Sequence, residues 1–196
     1  MTTIEPIWTQ QQTRPLGWWG MLLAVATEGT LFATLIASYF YIRFKTVAWP
    51  PDGIAKPHVL LPCVLTGVLV ASSVPMVVAE RALRRSRQRL LRTSLFSAFL
   101  LGVVYTLLQF RQYESDWGKF RPSRDAYGSL YYTLTGLHWA HVVAGLLLLL
   151  FVQYQVWQRA YRPERSAGVQ VAALYVHFVN VLALAILLTV YLSPRL

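Results

Sequence analysis

Five stretches of this chain are apolar for long enough to cross a lipid bilayer, and that leaves little freedom in what it can fold into. They run approximately from Leu16 to Ile42, Pro57 to Ala79, Leu91 to Phe110, Ser129 to Trp157 and Val169 to Leu192. A hydrocarbon layer about 30 Å thick takes about 20 residues at about 1.5 Å each. Within it an unpaired backbone amide or carbonyl finds no water, so each stretch is predicted to be a helix. Composition agrees: 56% of the 196 residues are hydrophobic and 13% charged, against roughly 45–50% and about 25% in a soluble domain. A chain of this length folded in water buries only about 70% of its surface, so lipid must cover the rest. The connections, about 11 to 18 residues, are far shorter than a soluble domain. The expectation is one all-α, polytopic membrane domain of five transmembrane helices over residues 16–196, preceded by a flexible or surface-lying tail over residues 1–15 with Pro6, Pro15 and the run Gln10, Gln11, Gln12. The first apolar run is too long for a signal peptide and lacks a small-residue cleavage site, so it is expected to remain in the mature protein.

The charge is strongly basic, 18 Lys+Arg against 8 Asp+Glu. The positive residues fall between the apolar runs instead of forming one stripe, which sets nucleic acid aside. After the second run stand Arg81, Arg84, Arg85, Arg87, Arg89 and Arg92, and after the fourth Arg159, Arg162 and Arg165. The opposite side carries Arg43, Lys45, Lys56, Arg111, Lys119, Arg121 and Arg124, interleaved with Glu114, Asp116 and Asp125. Positive residues favour the cytoplasmic side, so the N-terminus is predicted inside and the C-terminus outside. Arg81, Arg84, Arg85, Arg87 and Arg89 are also suited to anionic lipid headgroups. Trp18, Trp19, Tyr39, Tyr41, Trp49, Trp117, Trp157 and Tyr191 fall at the predicted helix ends, where aromatic residues sit at headgroup level. Pro75, after Ser72 and Ser73, is expected to kink the second helix and free a carbonyl for a hydroxyl or water. Glycines at 20, 29, 67, 102, 136 and 145 are expected to allow close helix approach. The single cysteine, Cys63, rules out an intramolecular disulfide and a thiolate cluster within the chain.

Ionisable residues at membrane depth each require an explanation. Glu28 lies about eleven residues into the first helix and His141 about twelve into the fourth, at about 1.5 Å per residue near the same level when the two run in opposite directions. They are expected to pair, either as a buried structural link or as a couple that handles a proton. His138 shares a helix face with His141 at i, i+3 spacing, and His177 lies in the first half of the last helix. Two histidines on one helix and one on another also suit a haem or metal. Against that stand the shallower level expected for His177 and the lack of thiolates or of carboxylates other than Glu28 nearby. No nucleophile with a base, no glycine-rich phosphate loop and no carboxylate pair appears, so no catalytic residue is expected in this chain alone.

The order of motifs is that of a known family. Gly20-Met21-Leu22-Leu23 leading to Glu28, with Phe32 and Tyr39 following, resembles the glutamate-bearing helix of subunit III of the haem-copper oxidases. Gly136-Leu137-His138-Trp139-Ala140-His141-Val142-Val143-Ala144-Gly145 resembles that family's G-x-H-x-x-H-V-x-x-G signature. Leu101-Gly102, Leu107-Leu108-Gln109, Tyr113-Glu114 and Ala126-Tyr127-Gly128-Ser129 fit the same order, and Tyr175, His177, Phe178 and Val179 are similar to its Y-W-H-F-V-D. Val176 stands where the family has tryptophan and Asn180 where it has aspartate, so any carboxylate role there is lost. The resemblance implies the short form with five helices instead of seven. It further implies a non-catalytic accessory subunit of a proton-pumping cytochrome c or quinol oxidase, packed against catalytic subunit I and other oxidase subunits in a bacterial cytoplasmic membrane. Such a subunit supports proton uptake, protects the catalytic subunit against inactivation during turnover and binds phospholipid, with haem and copper held by its partners and none by itself. His138, His177 and Asn180 are expected to be supporting polar residues. A nitric oxide reductase-associated relative shares the same signature. A haem-carrying anchor and a small transporter are further alternatives, the latter disfavoured by the lack of an inverted repeat.

Overall fold

Each apolar stretch forms a helix, and most of the helices run past the apolar residues that define them. In this computed structural model, which describes residues 15–47, 49–50, 59–117, 126–158 and 167–195, five helices are long and apolar enough to span a membrane. They are α1 (Leu16–Lys45), α2 (Leu60–Arg84), α3 (Gln88–Asp116), α4 (Ala126–Trp157) and α5 (Ala167–Arg195). The N-terminal tail before Pro15, and with it Lys56, Pro57, Lys119, Arg121, Arg124, Asp125, Arg159, Arg162 and Arg165 of the connections, lies outside the described residues. The extensions have local causes. Arg43 and Lys45 close α1 and Arg81 and Arg84 close α2, where cations offset the negative end of the helix dipole. The last turns of α3 stay helical because Gln109, Gln112 and Asp116 are buried against other helices, where helix is the only way to pair the backbone.

Two layers of buried residues show how the helices alternate in direction. One cluster joins the end of α2 (Met76, Leu83), the start of α3 (Leu91, Leu95), the end of α4 (Val152, Val156) and the start of α5 (Val169, Ala172). Another joins the second half of α1 (Phe32, Tyr39), the start of α4 (Tyr131, Leu134) and the end of α5 (Ile186, Val190). A third, with Leu65, Tyr105, Val142 and Val179, lies between the two. α5 touches α1, α2 and α4 and so forms the centre of the bundle, while α3 is wedged between α2 and α4. α1 is peripheral, with only Phe32 and Tyr39 buried along its length.

The break in the second helix falls at Ser72, ahead of Pro75. α2 is interrupted at Ser72, between α-helical halves Leu60–Ala71 and Ser73–Arg84. The Leu69 carbonyl there accepts both the Ser72 amide at 3.1 Å and the Ser72 hydroxyl at 2.6 Å. At the other end of α2 the chain turns through Ser86, whose φ of 52° is left-handed. The Ser86 amide donates to Leu83 and the Arg87 amide to Ala82, the paired bonds of a Schellman ending with serine where glycine is usual. α5 widens to π geometry over Leu187–Leu192 and closes in a 3-10 turn, Ser193–Arg195.

Of the expected close approaches, two depend on glycine. A Cβ on Gly102 would lie 2.7 Å from Leu146 Cδ2, bringing α3 against α4, and one on Gly145 would lie 3.3 Å from Tyr175 Cε1. Gly20 and Gly67 correct the sequence expectation, since nothing among the described residues lies within 4 Å of the place of their Cβ. Trp19, Tyr41, Trp117 and Trp157 are exposed at the helix ends, but Tyr39 and Tyr191 are not headgroup residues: both are buried. The Tyr39 hydroxyl accepts from Trp49 Nε1 at 2.8 Å and lies 3.2 Å from the Ser193 hydroxyl, tying α1 to the end of α5.

Candidate functional site

α1 and α4 bring Glu28 and His141 together. Glu28 Oε2 lies 3.1 Å from His141 Nε2, the carboxylate side chain 39% exposed and the imidazole 13%. Three further contacts hold the residue, two at its ring and one at its backbone. Its Nδ1 lies 2.7 Å from the Leu137 carbonyl one turn back, Phe32 stands edge-on with centroids 5.2 Å apart, and Tyr175 donates to the His141 carbonyl at 3.2 Å. Tyr175 can lie this close to α4 because residue 145 is glycine. A carbonyl oxygen only accepts, so Nδ1 carries a proton and donates it to Leu137. Nε2 and Oε2 then have one proton between them, held either as a carboxylic acid donating to imidazole or as imidazolium donating to carboxylate. The pair is thus a hydrogen bond between two helices and, chemically, a place where one proton is shared.

The other histidines go elsewhere. His138 and His141 do not share surroundings: His138 turns inward, 3% exposed, against Tyr105 of α3 at 6.0 Å between centroids, while His141 faces α1. The i, i+3 offset is about 60° around the helix axis, and α4 lies between α1 and α3, so that offset is enough to separate them. His177 Nδ1 lies 3.2 Å from the Ser73 hydroxyl. Asn180 Nδ2 donates to Ser72 at 3.2 Å and to Ser73 at 2.7 Å. His177 and Asn180 therefore fasten α5 to the break in α2, apart from the Glu28–His141 pair. An aspartate at position 180 could only accept from those hydroxyls unless protonated; the amide donates to both. Among the described residues no three His, Cys, Asp or Glu side chains converge as metal ligands would.

A second polar group was not visible in the sequence. Tyr131 of α4 donates to Asp116 Oδ2 at 2.9 Å and lies 2.9 Å from the Tyr191 hydroxyl of α5. Gln112 Nε2 donates to Tyr191 at 3.1 Å and, more distantly, to Tyr131 at 3.4 Å. Because the one hydroxyl proton of Tyr131 goes to Asp116, Tyr191 must donate to Tyr131. The bonds then point one way, from Gln112 through Tyr191 and Tyr131 to Asp116. Asp116 is 7% exposed, which corrects its sequence assignment as a loop acid diluting positive charge. The i, i+3, i+7 spacing of Gln109, Gln112 and Asp116 on one face of α3 is the signal that marks this seam.

The arginines divide. Arg81, Arg84, Arg85, Arg87 and Arg89 are exposed where α2 meets α3. Arg92 turns inward, donating to the Val156 and Trp157 carbonyls at 3.2 and 3.4 Å and lying over the Trp157 ring. It caps the end of α4 and is not available to lipid in the same way.

Comparison with known proteins places these features in a family. The family profile described as "Cytochrome c oxidase subunit III" matches residues 3–194. Cytochrome c oxidase subunit 3 of Synechocystis sp. is 32% identical over 174 residues, covering 88% of this chain and 74% of that protein. The corresponding proteins of Drosophila yakuba and Anopheles gambiae are each 31% identical over 179 residues, covering 88% of this chain and 68% of their own length.

Proposed function

For a chain that belongs to the cytochrome c oxidase subunit III family, and is therefore an accessory subunit of a haem-copper oxidase, we propose a supporting role within the complex. It packs on catalytic subunit I, with haem and copper held by its partners and none by itself. It keeps the catalytic subunit competent through turnover, supports proton uptake, and carries phospholipid. Its N-terminus lies inside and its C-terminus outside, in a bacterial cytoplasmic membrane. The Synechocystis relative accords with a bacterial setting, and the exposed arginine group at the α2–α3 turn accords with that orientation and with anionic lipid.

The observation that carries the reading is the Glu28–His141 bond, placed in the family's signature order along a chain matched over residues 3–194. It is the side-chain hydrogen bond by which peripheral α1 is tied to α4, and the partly exposed Glu28 leaves the pair open on the flank of the bundle. The geometry suits holding a helix in place. The matches are to oxidase subunits, so the nitric oxide reductase reading is not favoured.

Purification of the chain in mild detergent tests the proposal. A large haem-bearing polypeptide should elute with it in constant ratio, together with anionic phospholipid. Elution of this chain alone, carrying a haem absorption band of its own, would overturn the reading.

A further inference from the structure

Two side chains lining one cavity between α3 and α4 carry buried polar atoms that meet no hydrogen-bond partner among the described residues. His138 and Gln109 are 3% and 5% exposed, yet neither ring nitrogen of His138 nor Nε2 of Gln109 meets a hydrogen-bond partner among the described residues. Both side chains line one cavity, walled also by Thr66, Tyr105, Thr135 and Tyr191. Buried polar groups are nearly always satisfied, and at membrane depth no bulk water can reach these two. The cavity offers about 20 Å³ to the centre of a water-sized sphere, against the roughly 10–15 Å³ that one water needs. A cation does not suit it, since among the described residues His138 is the only His, Cys, Asp or Glu side chain in the wall.

We infer that this cavity is a binding site for a water molecule that bridges Gln109 of α3 and His138 of α4. The water accepts from Gln109 Nε2 and donates to whichever ring nitrogen of His138 lacks a proton. Its second hydrogen faces a wall that mixes the hydroxyl residues Thr66, Tyr105, Thr135 and Tyr191 with the apolar Leu65, Ala183 and Ile186. Tyr191, which closes the cavity, is also a member of the Gln112–Tyr191–Tyr131–Asp116 group. The site therefore adjoins a line of hydrogen bonds leading to the end of α3, and the polar seam continues from His138 at membrane depth to Asp116 at the helix terminus. The inference rests on the chain's own polar groups and not on its place in an oxidase.

Two measurements on the intact complex test it. A density map that shows ordered waters should contain a peak in the cavity about 2.7–3.2 Å from Gln109 Nε2 and from one His138 nitrogen. A map with no peak, a direct Gln109–His138 contact that closes the cavity, or an anomalous signal from a metal would each overturn the assignment. The second measurement is a double-mutant cycle on retention of this chain in the complex under detergent challenge. His138→Phe and Gln109→Leu each strand one end of the bridge, so each should lower retention roughly threefold to tenfold. The double variant removes both ends and should lose no more than the worse single one. Losses that multiply would mean that no shared molecule links the two side chains.

Discussion

Glu28→Leu and Glu28→Gln distinguish a hydrogen bond from mere bulk at the α1–α4 contact. Leucine removes the partner of His141 Nε2, which is 3.1 Å away in the native protein, while Nδ1 remains tied to Leu137. A stranded buried acceptor costs about 1–3 kcal/mol in a water-soluble protein. Two features pull the figure to the lower end. Hydrogen bonds between membrane helices average about 0.6 kcal/mol and reach about 1.7, because the separated helices find other partners. Glu28 is itself 39% exposed, so part of its interaction is already shared with the surroundings. The expected cost is about 1 kcal/mol, or about a fivefold shift in the equilibrium between packed and loosened α1. Glutamine has an amide that can donate to Nε2 in the same place and should shift it less than twofold. The assay is the fraction of chain retained in the complex across a detergent series, read together with protease access to α1. Equal losses in the two variants, or no loss with leucine, would refute the hydrogen-bond account of this contact.

Further consequences concern other parts of the bundle. Ser86→Gly should stabilise the protein by about 1 kcal/mol, since a left-handed φ is unfavourable for any residue with a Cβ; a lower melting temperature would count against the Schellman reading. Replacing Arg81, Arg84, Arg85, Arg87 and Arg89 by glutamine should reduce co-purified anionic lipid, each arginine contributing about 1 kcal/mol near a charged surface. Arg92→Gln should instead weaken the end of α4 and leave lipid content nearly unchanged, and lipid analysis of the two variants separates these roles. Gly102→Val should cost about 1–3 kcal/mol through overpacking against Leu146, and Leu146→Ala in the same chain should recover most of it; thermal unfolding without such recovery would place the strain elsewhere.

The features that could be read in the sequence depend on distance along a helix axis. Span number followed from length and apolar character, and the meeting of Glu28 with His141 followed from matched depth in oppositely running helices. Rotation about the axis was harder to read. Helices that are apolar on nearly every side give little periodic signal, so the separate directions of His138 and His141 were not visible. Tyr39 and Tyr191 looked like headgroup aromatics because they stand near helix ends, yet partners from other elements (Trp49 and Ser193 for one, Gln112 and Tyr131 for the other) enclose them. Asp116 was misplaced for a similar reason. A carboxylate at the edge of an apolar run reads as loop until the tyrosine that donates to it is known.

The proposed role is to support a redox complex without holding a redox centre. It is tested most directly by stripping the chain from the purified complex and following haem content and oxygen consumption in both fractions. All haem should stay with the stripped complex, which should still reduce oxygen at first and then lose activity during turnover faster than the intact form. Haem leaving with this chain, or oxygen reduction abolished at once while the remaining complex keeps its spectrum, would contradict it.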